Sequence, residues 1–392
     1  MQERAAADSR PTARRSPRRI LVAVGTRPEA VKLAPVILRL RREPERFQTF
    51  VCATAQHREM LDQVLGLFDI APDVDLDLMR PDQSPNELAA RVFAAFDRVL
   101  TDRPVDWLLV QGDTTTAMCA AVAAFHRRVP VGHVEAGLRT GDLMQPFPEE
   151  MNRRVVDLVA DAYFVPTARA AAALRAEHVP EDRIHRTGNT VVDALLQIAE
   201  IEGEAAVEDL VLVTAHRRES FGAPLASIVA AVGRLARRFH GFRFVHVVHP
   251  NPNVRAAMSG YRGLSNVELV EPLDYRTLVS LMRRCRLILT DSGGIQEEAP
   301  TFGKPVLVLR RKTERPEGID AGLARLVGTD EDRIVEEATR VLEGKSDLAR
   351  GDRFMNPYGD GRASDRIAAA LDGTPYEPFE PVSSGRAVGQ PD

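Results

Sequence analysis

The chain has 392 residues but only three cysteines and one tryptophan, and aromatic residues make up 5% of it. Cys52, Cys119 and Cys285 sit in apolar stretches without CxxC spacing, which argues against a disulfide framework and against a zinc site. They read as core residues of a cytoplasmic protein. The scarcity of aromatics leaves no stacking platform for single-stranded nucleic acid, and a net charge of −4 supplies no basic face for a duplex. No apolar run reaches the roughly 18 residues that a membrane span needs. Neither GxGxxG nor GxxxxGK[ST] occurs, which weakens the case for hydride transfer and for a P-loop. Residues 1–19, rich in arginine and without an apolar h-region, read as a disordered basic tail rather than a leader.

With 44% hydrophobic and 28% charged residues, the composition is that of a globular enzyme or binding protein. The length suggests two domains. Short apolar runs alternate with amphipathic ones, the pattern of βαβ units on parallel sheets. Strands are expected at 20–24, 49–53, 107–110, 131–134 and 162–165, and again at 210–213, 244–248, 267–270, 287–289 and 306–309. The expected fold is α/β, with two doubly wound Rossmann-like domains at 20–188 and 189–362 facing a cleft. A hinge is expected near Gly188-Asn189 and a surface connection at 200–207. A helix over 363–371 should pack back on the first domain, and 372–392 should be a mobile tail.

In such folds the carboxyl ends of strands face the ligand crevice, and the polar motifs fall there. Gly25-Thr26-Arg27-Pro28-Glu29 opens a helix and offers Arg27 and, one turn on, Lys32 to an anion. Asp113 follows the third expected strand, where it either caps a helix or does chemistry. Glu135 and Glu149 flank a loop rich in Gly and Pro and suit acid–base work on one small molecule. His216, followed by Arg217 and Arg218, suits a phosphate or a leaving group. His249 begins a rigid strand-end turn. Asp291-Ser292-Gly293-Gly294 leads from a strand into a helix, so bare N–H groups of Ser292, Gly293 and Gly294 can meet a diphosphate. Glu298 can accept hydrogen bonds from a ribose diol, and Arg315 adds a further anion contact.

Taken together, GTRPEAVKLAPV, VQGDTTTAM, GHVEAGLRTGD with PFPEEMNR, TGNTVVDAL, TAHRRESFG and TDSGGIQEEAPTFGKPVLVLR with TERPEG resemble the non-hydrolysing UDP-N-acetylglucosamine 2-epimerases, from about residue 20 to about 366. The resemblance implies a glycosyltransferase-B-like fold and interconversion of UDP-GlcNAc and UDP-ManNAc without metal or cofactor. It implies anti elimination of UDP to a 2-acetamidoglucal and re-addition from the other face. By the same resemblance Asp113, Glu135, Glu149 and His216 are catalytic. Arg27, Lys32, Ser292, Gly293, Gly294, Glu298 and Arg315 hold UDP, and Gln56, His57, Arg217 and His249 match an activator site for a second UDP-GlcNAc. A homodimer is implied, with no nucleic-acid or membrane partner. Leu278 departs from the phenylalanine common among members, and Glu59 from the glutamine of some. The alternatives are the same chemistry on a modified UDP-2-acetamido sugar, a hydrolysing epimerase releasing ManNAc and UDP, and a UDP-sugar-dependent glycosyltransferase.

Overall fold

Each short apolar run enters one of two parallel sheets. The structure, a computed structural model, describes residues 16–54, 58–80, 83–215, 221–248, 251–348 and 356–381. Among these, the first half contains β1 (Arg18–Val24), β2 (Phe47–Ala53), β3 (Val74–Asp75), β4 (Trp107–Gln111), β5 (Val131–Val134), β6 (Ala162–Val165) and β7 (Ile184–Arg186). They pair in the order β3-β2-β1-β4-β5-β6-β7. The intervening helices are α1 (Arg27–Arg41), α2 (Arg58–Leu67), α3 (Pro85–Asp102), α4 (Thr115–His126), α5 (Glu149–Val159) and α6 (Ala168–Ala176). α7 (Thr190–Glu202) leads to the second half.

There β8 (Leu210–Thr214), β9 (Arg243–Val247), β10 (Val267–Val270), β11 (Leu287–Thr290), β12 (Val306–Val308) and β13 (Ala324–Leu326) pair in the order β10-β9-β8-β11-β12-β13. The helices are α8 (Ala223–Arg238), α9 (Pro252–Ala257), α10 (Tyr275–Arg284), α11 (Gly293–Glu298), α12 (Glu317–Asp320), α13 (Glu331–Leu342) and α14 (Ala363–Asp372). Every strand pair is parallel. The α/β, doubly wound expectation is met.

Helices cover both faces of each sheet, so the central strands are apolar on both sides rather than alternating. In β1, Leu21 and Ala23 join a core beneath α3 and α4, whereas Ile20, Val22 and Val24 face α1. That second core does not stop at the edge of its half. Val191, Val192, Leu195 and Ile198 of α7 carry it to Leu210 and Leu212 of β8.

The chain crosses between the halves twice. On the way out, Gly188 takes φ +84° and Asn189 N–H donates to Tyr358 O at 2.7 Å. The return crossing passes Gly359, where an added Cβ would lie 3.1 Å from Asn189 O. Beyond it, α14 is capped by the buried Asp193 carboxylate, which accepts from Ala363 N, Ser364 N and Ser364 Oγ at 3.2, 2.8 and 2.6 Å. Arg39 of α1 binds Asp365 at 2.5 Å. Residues 373–381, expected as the start of a mobile tail, lie instead along β7. Phe379 is buried and its N–H donates to Arg186 O at 2.8 Å.

Candidate active site

The turn after β1 is built around Glu29. One of its oxygens accepts from Gly25 N and Thr26 N at 2.9 and 2.5 Å; the other accepts from Thr114 Oγ1 at 2.6 Å. Burial raises this carboxyl above its usual range against the pull of those hydrogen bonds. Glu29 thus joins the turn bearing Arg27 to the turn bearing Asp113. Arg27 reaches into the other half, donating to Leu273 O at 3.2 Å.

At the end of β4 the two readings of Asp113 separate. The cap of α4 is Thr114, whose hydroxyl accepts from Ala117 N at 3.0 Å. Asp113 is therefore not needed as a cap. Its backbone carbonyl accepts from Asn152 Nδ2 at 2.9 Å, and its carboxylate pairs with Arg153. Both partners come from the first turns of α5, the helix that Glu149 begins. One carboxylate oxygen of Glu149 is buried with no hydrogen-bond partner among the described residues.

Glu135 follows β5 with φ +68°, a left-handed conformation that costs a non-glycine residue on the order of 1–3 kcal/mol and persists only where its surroundings enforce it. Glu135 N and Ala136 N both donate to Phe164 O at 2.9 and 3.2 Å. Its carboxylate pairs with Lys32 and accepts from Gln111 Nε2 at 2.5 Å and Asn189 Nδ2 at 3.0 Å.

From the second half comes the turn of Ser292, Gly293 and Gly294. The Arg315 guanidinium packs on Gly293, where a Cβ would stand 2.6 Å from Nη1 and push the guanidinium aside. Arg315 is held by Glu297 and Glu314, each at 2.7 Å. Burial opposes the charge of Arg315, but Glu297 and Glu314 more than offset it and raise the pKa. Burial also opposes Lys32, and Glu135 with Glu297 again outweighs it. Burial pushes Glu298 up to about 7, Lys32 pulling it down and Glu297 adding to the rise. Tyr275 OH donates to Glu298 at 3.4 Å.

The structure thus gathers Lys32, Glu135 and Arg315 from both halves about a carboxylate that sequence reasoning passed over. Glu297 is 3% exposed, 3.6 Å from Lys32 and 3.2 Å from Asn189 Nδ2. Glu297, Asn189 and Gln111 each stand inside a motif quoted above, but only Asn189 was marked, as a hinge position, and none was assigned to the site. Gln56, His57, His216, Arg217 and His249 lie outside the described residues.

A family model described as UDP-N-acetylglucosamine 2-epimerase matches residues 39–372. The UDP-N-acetylglucosamine 2-epimerase of Salmonella typhimurium is 47% identical over 369 residues, covering 90% of this chain and 98% of that protein. The crystal structure of UDP-GlcNAc 2-epimerase from Neisseria meningitidis bound to UDP-GlcNAc superimposes with TM-score 0.80 at 42% identity, covering 90% of this chain and 99% of that one. The glycotransferase of kitacinnamycin, at 15% identity and TM-score 0.62 over 91% of this chain and 99% of its own, shares the fold alone.

Proposed function

Since this chain belongs to the UDP-N-acetylglucosamine 2-epimerase family, we propose that it interconverts UDP-GlcNAc and UDP-ManNAc without net hydrolysis. In the first step a carboxylate takes the C2 proton while the C1–O bond breaks, its electron pair leaving with UDP and a C1=C2 double bond remaining. In the second, an acid delivers a proton to C2 from the other face and the UDP oxygen re-forms its bond to C1. Asp113, Glu135 and Glu149 serve as the acids and bases. Arg27, Lys32, Ser292, Gly293, Gly294 and Arg315 hold the diphosphate as its charge develops, and Glu298 takes the ribose. His216 keeps the catalytic or diphosphate-contacting role that the resemblance gives it.

The observation that carries this reading is the supply of three carboxylates by β4, β5 and the start of α5, next to cations contributed by both halves. A glycosyltransferase of this architecture has no need of that many acids beside one nucleotide site. Incubation with UDP-GlcNAc in deuterium oxide tests it, with C2 followed by NMR. Both epimers should gain deuterium at C2 while UDP-sugar is conserved. Full retention of the C2 hydrogen sinks the elimination route, and accumulation of free ManNAc with UDP identifies a hydrolysing enzyme instead. For the activator reading of Gln56, His57, Arg217 and His249, progress curves started from UDP-ManNAc should show a lag that a trace of UDP-GlcNAc removes. Curves without a lag leave this chain without a second site.

A further inference from the structure

Beneath the candidate acids lies a fully buried histidine that the reaction outlined above does not use. His133, at the centre of β5, is 0% exposed, and both of its ring nitrogens face acceptors. Nε2 lies 2.8 Å from the backbone oxygen of Gly112, which can only accept. Nδ1 lies 2.6 Å from Oδ1 of Asp157 on α5. The first contact requires a hydrogen on Nε2, and the second requires one between Nδ1 and the carboxyl.

The surroundings decide which side holds that second hydrogen. The other oxygen of Asp157 receives Arg139 at 2.8 Å and Gly137 N–H at 3.3 Å, partners that suit a carboxylate. Arg139 also pairs with Glu177 at 2.7 Å. Arg139 is shared between Asp157 and Glu177, and Glu177 also faces Arg154 at 3.7 Å, so a charged histidine gives the buried Asp157 a cation of its own. An unbalanced charge at such depth would be costly.

We infer that His133 is a positioning residue, held as an imidazolium, which locks the two carboxylate-bearing turns to each other and to α5. One ring nitrogen fixes the carbonyl of Gly112, the left-handed residue (φ +71°) that precedes Asp113. Through Asp157 the other fixes Gly137 N–H and Arg139, directly after Glu135. Facing an ionised Asp157, a neutral ring could hold one turn but not both.

Neutron diffraction from deuterium-exchanged crystals of the wild-type protein tests the charge directly. Nuclear density on both Nδ1 and Nε2 is expected. A bare Nδ1 with the deuterium on Asp157, or a bare Nε2, overturns the inference. The positioning role, which rests on the epimerase reading, is tested by kinetics and nucleotide binding. His133→Gln and Asp157→Asn should each lower kcat about 100-fold, the scale of a misplacement near 1 Å, while UDP affinity stays within about twofold. The double variant should be no slower than the slower single one, because both break the same link. Losses that multiply, or UDP binding that falls in step with kcat, overturn it. A wild-type protein with the expected nuclear density but no epimerase activity counts against the proposed reaction and leaves the charge assignment standing.

Discussion

In the proposed site Glu298 takes the ribose, and one proton decides its charge there. Burial brings this carboxyl up to about 7, so it ionises within the working range of most enzymes. A carboxylate accepts hydrogen bonds from a ribose diol better than a neutral acid, and UDP affinity should therefore rise between about pH 6 and 8. Calorimetric titration with UDP across that range should show the rise, and Glu298→Gln should flatten it; an unchanged slope in the variant removes Glu298 from ribose binding. Stability should move the other way. A carboxyl whose pKa is raised on folding contributes stability that is present below its unfolded value, near 4.5, and lost as pH climbs through about 7. Thermal melts of Glu298→Gln should thus lose less stability than wild type on that climb. Neutral replacement of Asp113, Glu135 and Glu149 together should lower kcat by at least the roughly 10² to 10⁴-fold usual for a single acid–base group. A triple variant that turned over normally would make the three acids structural. The place of single residues was legible where a motif marked a strand end, as with Asp113 just after β4. They were illegible where the role comes from distant chain meeting: Glu297 and Asn189 are 108 positions apart in sequence, and no periodicity links them.

At the scale of elements, α5 reverses the usual amphipathic rule. Glu150, Asn152, Arg153 and Asp157 are buried, whereas Leu158 is 82% exposed. Glu150 accepts from Thr140 N and Gly141 N at 3.1 and 3.2 Å, closing the loop that precedes the helix. From sequence such a face looks solvated, so only Glu149 was singled out there. The turn after Glu135 offers a test of how tightly this packing is set. Gly137 has φ +81° and a Cβ there would lie 2.4 Å from Ala170 O, whereas Gly141, with φ +83°, has nothing within 4 Å. Gly137→Ala should destabilise the fold by more than the 1–3 kcal/mol or so of backbone strain alone, and Gly141→Ala by about that strain. Denaturant unfolding of the two variants compares them directly, and equal losses would show that α6 yields to the added methyl. The strands missed in the sequence have a common cause. β3, β7 and β13 are two or three residues long and each lies at a sheet edge. An edge strand pairs on one side only and needs no long apolar run to announce it.

On the scale of the whole molecule, the two sheets wind alike, and their strand ends carry Arg27 and Asp113 on one side and Ser292 on the other. UDP held by Arg27 and the turn at 292–294 should draw the halves together, giving a smaller radius of gyration by small-angle scattering on saturation. An unchanged radius would mean a cleft already closed. The alternation of strands and helices made two sheets legible. The docked return segment was not, because Pro, Gly and polar residues at 373–381 read as a tail until Phe379, Tyr376 and Glu377 find their partners at Arg186, His185 and Arg366.

The return crossing at Tyr358 and Gly359 limits how the halves can move against each other. A single strand of chain between two bodies permits bending in any direction and free twisting. Here a second strand runs alongside the first, with Asn189 N–H bonded to Tyr358 O, and Asp193 fastens its far end to α7. Twisting the two crossings against each other would shear that hydrogen bond, whereas bending them together would not. If the halves close on UDP as predicted, each stroke should retrace the same arc and return Arg315 to the same register with Lys32, the two meeting at Glu297. The proposed reaction, which removes a proton on one face and replaces it on the other, would depend on that repeatability of path more than on how far the jaws open.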